Sequence, residues 1–292
     1  LKWLPEVNDW RERLRALPCS PEEAWEAGQA LANLRLDFVQ TNALDSRLAT
    51  VLKGELPPGL ATKPVRLAIL GSSTLNHLHP AIRIGGLRRG IHIATYENDY
   101  GQYWLELSDR ESALHAFKPN MVLIAFDAYH LAAGVSMLLG EVDAQAALNE
   151  VLERMRACWN LAREAFSCPI IQQTPLPVHF DLLGVNEHRA PGSRANFIAR
   201  LNVALRKTAD EEGVDLLSLD RQAEMDGVNS WHDYALWHRA KMEVSPAMAP
   251  LYGDLVSRVI AARQGRSHKC LVLDLDNTVW GGVIGDDGME GI

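Results

Sequence analysis

The chain is poor in cysteine, has no long apolar run and carries no excess of positive charge. Its four cysteines, Cys19, Cys158, Cys168 and Cys270, are scattered over 292 residues with no CxxC pair. That spacing excludes a disulfide framework and a cysteine zinc site, and it suits a reducing compartment. No apolar stretch approaches the roughly 20 residues that a membrane-spanning helix needs. The opening LKWLPEVNDWRERLR is charged and amphipathic, unlike a secretory signal. A cytoplasmic protein without a membrane partner is expected. Lys and Arg number 29 against 37 Asp and Glu, giving a net charge of −8. Nucleic acid would be repelled by that balance, so no nucleic-acid partner is expected. Neither an internal repeat nor a low-complexity tract is found. The first residue is Leu rather than Met, so a trimmed chain is expected.

Hydrophobic residues make up 47% of the chain, enough for a sizeable core. Residues 1–60 read as a helical segment. In SPEEAWEAGQALANLRLDFVQ, Ser20 and Pro21 stand at cap and first-turn positions, and Glu23 has capping-box spacing. GELPPGLATKP then breaks the pattern. Beyond it, VRLAILG, IHIATYE, MVLIAFDA, CPIIQQTPL and VDLLSLD alternate with helical stretches. This predicts an α/β domain over 61–265, a doubly wound parallel five-stranded sheet in the order 2-1-3-4-5 with helices on both faces. MVLIAFDA is nearly all apolar, as a central parallel strand should be. A sixth run, KCLVLDLD, opens a new unit over 266–292.

That unit carries the clearest chemistry, in CLVLDLDNTVWGGVIGDDG. Four apolar residues lead into Asp274, with Asp276 two positions on and Thr278 after it. Carboxylates at the carboxyl end of a strand stand where open α/β sheets place their chemistry. One can attack phosphorus, and the other can protonate the leaving group and then activate water. A Mg²⁺ ion bound by Asp274 and Asp276 would offset their repulsion of phosphate.

The motif resembles the first motif, hhhDhDxT, of haloacid-dehalogenase (HAD) superfamily phosphatases. With its flanks it resembles the FkbH-like members, subfamily IIIC. WLPEVNDWRERLRA, LANLRLDFVQTNALD, ILGSSTLNHLHPAIRIGGLRRG and YENDYGQY are similar to that family's amino-terminal region. The resemblance implies Asp274 as phosphoryl acceptor, Asp276 as acid/base and Thr278 as the motif's hydroxyl. It also implies a protein that takes a three-carbon glyceryl unit from a phosphorylated acyl donor and loads it onto an acyl carrier protein for polyketide assembly. The rest of such a site, with its Lys, further acids and acyl-accepting Cys, would lie beyond Ile292, so Cys270 does not inherit that role. The expectation is that the chain alone is no phosphatase and binds Mg²⁺ poorly.

The large domain resembles the SGNH-hydrolase fold. Gly71-Ser72-Ser73 stands at its Gly-Asp-Ser turn, so Ser73 matches the nucleophile. Gly101 matches the second-block Gly, and Asp127 follows the third strand. The fifth-block His is missing: Ser245-Pro246 stands in its place, with His232 and His238 a little upstream. A serine without a base is weakly nucleophilic, so Ser73 reads more simply as a helix N-cap beside an anion-binding turn. Arg83, Arg88 and Arg89 form the one local basic cluster. They read either as a solvated helix end or as a docking patch for an acidic carrier. Two alternatives to the enzyme reading follow, a non-catalytic docking module and an esterase or acyltransferase using Ser73.

Overall fold

A computed structural model describes residues 1–57, 59–60, 62–266, 270–288 and 290. The chain starts with three helices, α1 (Trp10–Arg15), α2 (Pro21–Ala32) and α3 (Phe38–Leu52). Pro21 does occupy the first turn of α2, but the Ser20 side chain makes no cap bond. The capping box lies on α3 instead: Asp37 Oδ1 accepts from Gln40 N at 2.7 Å and Gln40 Oε1 from Asp37 N at 2.9 Å.

The α/β domain runs β1 (Val65–Gly71), α4 (His79–Arg88), β2 (Ile93–Glu97), α5 (Tyr103–Ser108), α6 (Ala113–Phe117), β3 (Met121–Ala125), α7 (Ala128–Leu131) and α8 (Glu141–Phe166). It continues through β4 (Ile170–Gln173), α9 (Arg194–Glu212), β5 (Asp215–Leu217), α10 (Leu219–Asp226), α11 (Val228–Trp231), α12 (Tyr234–Ala240) and α13 (Ala249–Arg263). All strand pairs are parallel, in the order β2-β1-β3-β4-β5. This is the order that the alternation of runs predicts. Every residue of β3 is buried, because helices cover both faces of a central parallel strand. Helices α8 and α9 pack on each other, as do α4 and α13.

Contact between α4 and α13 is backbone to backbone. A Cβ on Gly253 would sit 2.1 Å from the Ala81 carbonyl oxygen, and one on Gly85 would sit 2.6 Å from that of Gly253. Only glycine fits there. The outer side of α4 receives the helical segment: Ile84 and Leu87 join Leu31, Leu44 and Leu48 in one apolar cluster. The amino-terminal segment therefore shares its core with the domain.

The basic cluster is absorbed into this packing. Arg83 donates to both oxygens of Asp45 at 2.8 and 2.6 Å. Arg88 and Arg89 converge on Asp254 at 2.7 and 2.9 Å, and Arg258 reaches its other oxygen at 2.8 Å. These arginines are intramolecular fasteners, a correction to the docking-patch reading. Charge is visible in a sequence, whereas an acidic partner 165 residues away in the chain is not. Asp254 is 1% exposed. Replacing it by Ala is expected to cost about 3–5 kcal/mol, because several guanidinium groups lose their shared carboxylate. Urea unfolding tests this, and a loss below about 1 kcal/mol would contradict it.

The expected sixth strand is not formed among the described residues. Residues 270–275 form no regular secondary structure and are exposed, and only an isolated bridge joins Asp276 to Trp280. A strand needs a neighbour, and this segment is hydrogen-bonded to none of the five strands among the described residues. A short helix, α14 (Ile284–Asp287), follows. Of the unit expected over 266–292, residues 267–269, 289, 291 and 292 lie outside the described residues, as do 58 and 61 of the breaker.

Candidate functional site

In a sheet of this order, the strand order reverses between β1 and β3, and a crevice opens at their carboxyl ends. Here that crevice is stitched across. Ser72 Oγ donates to Asp127 Oδ2 at 2.5 Å, and Asp127 N donates back to Ser72 Oγ at 2.9 Å. Asp127 Oδ1 caps α7 through His130 N at 2.8 Å. Ser72 and Asp127 are thus brought together, both buried, in a structural bond. Asn98, immediately after β2, holds Gly71 from the other side: its Oδ1 accepts from Gly71 N at 2.8 Å and its Nδ2 donates to Gly71 O at 3.1 Å. Sequence reasoning missed Asn98, because the signal was a single polar residue in a loop already read for its glycine. Gly101 lies in an exposed turn at φ 72°, with nothing within 4 Å of where a Cβ would stand. Its conformation explains the glycine.

Ser73 is 4% exposed, and its Oγ has no hydrogen-bond partner. The cap reading is corrected by this. The first helical turn begins only at Asn76, after Leu75, and the neighbouring Thr74 is the residue tied down, by Ala240 O and Lys241 O. Nor does a base reach the Ser73 hydroxyl. His232 Nδ1 donates to Glu243 O at 2.7 Å, and burial keeps its ring neutral. Its Nε2 therefore accepts from Tyr129 OH at 3.2 Å. His77 spends Nε2 on Val244 O at 2.8 Å, while His238 is exposed. Ser245 caps the short turn into α13 by accepting from Ala247 N. The fifth-block position is a helix entry.

Behind this crevice lies Glu243, fully buried and unpredicted. It accepts from Ala128 N at 2.9 Å and from the Leu176 backbone. Burial, with Asp127 as the second cause, pushes its carboxyl well above the usual range, so it is a neutral acid that locks the β3 and β4 loops.

At the other candidate centre, Asp274 is exposed and Asp276 half-buried. Asp276 Oδ1 accepts from Trp280 Nε1 at 3.1 Å, and Asn277, at φ 55°, turns the chain so that its Oδ1 meets Gly282 N at 3.1 Å. This closes NTVWGG into a tight loop, with the Asp276 carboxylate bonded into it. Thr278 is exposed in the same turn. Mg²⁺ takes six oxygen ligands in a near-octahedral shell. Two carboxylates, one of them already holding an indole N–H, do not supply it, and no group of three or more His, Cys, Asp or Glu able to hold a metal occurs among the described residues. The residues present therefore do not by themselves fit the ion. Among the described residues no helix is long and apolar enough to cross a membrane.

Comparison with known proteins agrees with this layout. The family described as FkbH, N-terminal domain, matches residues 66–261. A Bacteroides fragilis structure, the N-terminal part of a protein containing a phosphatase domain complexed with Mg, is similar at 25% identity and a TM-score of 0.68. The match covers 78% of this chain and 60% of that one. An Enterococcus faecalis lipase/acylhydrolase is a looser likeness, at 15% identity and a TM-score of 0.46 over 70% of this chain and 99% of that one. It says nothing about chemistry. A search of curated proteins gave no match. With two thirds of its length inside the family's pattern, folded as the alternation of runs predicts, this chain belongs to the FkbH N-terminal domain family.

Proposed function

We propose that this chain is the amino-terminal part of an enzyme that releases phosphate from a glyceryl acyl phosphate and loads the three-carbon unit onto an acyl carrier protein. In this reading the phosphoryl chemistry belongs to the loop that starts at Asp274, and the α/β domain is a silent module that docks the carrier. Asp274 attacks the phosphorus of the phosphate ester on the glyceryl unit, the P–O bond to the alcohol oxygen breaks, and Asp276 protonates that oxygen. Asp276 then takes a proton from the water that hydrolyses the aspartyl phosphate. The acyl C–O bond to the other phosphate is left for a thiol to break, which releases phosphate as the thioester forms. Cytoplasmic placement and a polyketide pathway go with this reading.

The observation that carries the silent role is the state of Ser73, whose buried hydroxyl is bonded to nothing. A serine nucleophile needs a base within hydrogen-bond reach, and none bonds Ser73: His77 Nδ1 is itself without a partner and so does not reach the Ser73 hydroxyl, while His232 is held by Glu243 O and Tyr129. The esterase reading has no such support.

Carrier loading by the full-length protein, with and without Ser73→Ala, tests the proposal. Loading is expected to stay within about threefold, and stability to stay level or rise slightly, because removing an unpartnered buried hydroxyl removes a desolvation cost. A hundredfold loss, or labelling of Ser73 by a fluorophosphonate, would reinstate the serine as a nucleophile.

A further inference from the structure

A second concavity lies beside the crevice, at the carboxyl end of β3 and β4, and shares the loop after β3 with it. The loops over residues 126–140 and 174–193 enclose a groove of about 510 Å³. That volume is in the range of small-molecule pockets. Its walls include Val135, Met137, Phe180 and Leu182, with His179 and Arg194 as polar lining.

The groove is rigidly built. Phe180 stacks on Tyr234 at 4.6 Å, and Tyr234 OH donates to Val178 O at 2.8 Å. His179 Nε2 meets Ala128 O at 3.2 Å, and its ring packs edge-on against Tyr129. The two loops touch through their backbones at Gly192, where a Cβ would fall 2.1 Å from Ser136 O. Yet the walls face water: Phe180 is 67% exposed and Leu182 71%. Tyr234 fixes the Phe180 ring without burying it. A preformed apolar wall that still faces water marks a binding surface.

Arg194 supplies the polarity. Its Nε donates to Val135 O, and no carboxylate lies within ion-pair distance of its guanidinium among the described residues. Glu187, the acid in the lining, is already committed, with one oxygen taken by Ser193 Oγ and the other by Leu183 N at 2.7 Å. One end of the groove thus offers an unpaired cation and the remainder an aromatic and aliphatic wall.

We infer that this groove binds a small amphipathic anion, an aliphatic or aromatic group carrying a carboxylate, sulfonate or phosphate, with the charge on Arg194 and the apolar body on Phe180 and Leu182. No activated nucleophile lines it, so the ligand is held and not turned over. This site is separate from the phosphoryl loop and does not depend on the reading proposed for it.

Two fluorescent probes test it. Anilinonaphthalene sulfonate is amphipathic and anionic, and phenylnaphthylamine is its uncharged counterpart. Arg194→Gln is expected to weaken the anion about tenfold, the scale of one lost charge-assisted hydrogen bond. It should leave phenylnaphthylamine unchanged. Arg194→Lys should stay within about threefold of the parent for both. Phe180→Ser should weaken both probes. The exposed Leu271 and Val272 also attract such dyes, so the comparison is repeated in a Leu271→Ser, Val272→Ser background. Equal binding of the anion by the parent, Arg194→Gln and Phe180→Ser, with circular dichroism showing all three folded, would overturn the inference.

Discussion

Asn in place of Asp274 is expected to lower phosphate release by the full-length protein at least about a thousandfold, because an amide cannot take the phosphoryl group. Melting temperature should hardly move, since the Asp274 side chain is exposed and makes no hydrogen bond among the described residues. The pairing of the two readouts is what makes the experiment decisive. Asp276→Asn should also lose activity, but with a detectable structural effect, because its carboxylate holds the Trp280 indole. Retention of more than about a tenth of the rate in Asp274→Asn would move the nucleophile elsewhere.

Acid should unfold this protein early. Burial is the leading cause that keeps His77, His79, His92, His130, His179 and His232 below the usual imidazole range. Such a histidine stays neutral in the fold while the unfolded chain takes up a proton below about pH 6.5. The unfolded state then binds more protons, so stability falls as pH drops. His79 is lowered furthest, to about 4, by burial and then by Arg83 and His77, and Glu97 Oε2 at 3.3 Å from its Nε2 opposes this, so its share of the loss is complete only below that pH. Glu97 and Glu243 act the other way: both are raised, so their contribution is greatest in acid and fades above about pH 4.5. The histidines outnumber them. Melting temperature should therefore fall steadily from pH 7 to 4.5, and His79→Asn should flatten the curve. A level profile across that window would contradict the assignment.

What could be read from the sequence was what neighbours along the chain decide. MVLIAFDA announces a strand covered on both faces, and the alternation of such runs with helices leaves few topologies. The DLDN motif is what raises the expectation of phosphoryl chemistry. What stayed hidden depends on partners far along the chain. Thr74 is anchored by residues 166 and 167 positions away, and this determines what is left for Ser73. Arg88 looked like free charge until Asp254 was placed beside it. KCLVLDLD has the composition of a strand, but composition does not supply a neighbour to pair with. Asn98 and Glu243 act at the crevice as single polar residues, and no spacing marks them.

The glycine contact between α4 and α13 bears on how this protein is made. Residues 79–88 leave the ribosome early, while the helix they must touch is some 170 residues behind. Until the stretch ending at Arg263 emerges, one flank of the nascent sheet stays open, with Ala81 and Ile82 uncovered. Contacts of such long sequence separation delay closure and leave apolar surface to be shielded meanwhile. Release from synthesis just short of α13 should yield a sticky, protease-sensitive intermediate, and a few more residues should convert it abruptly into a resistant one.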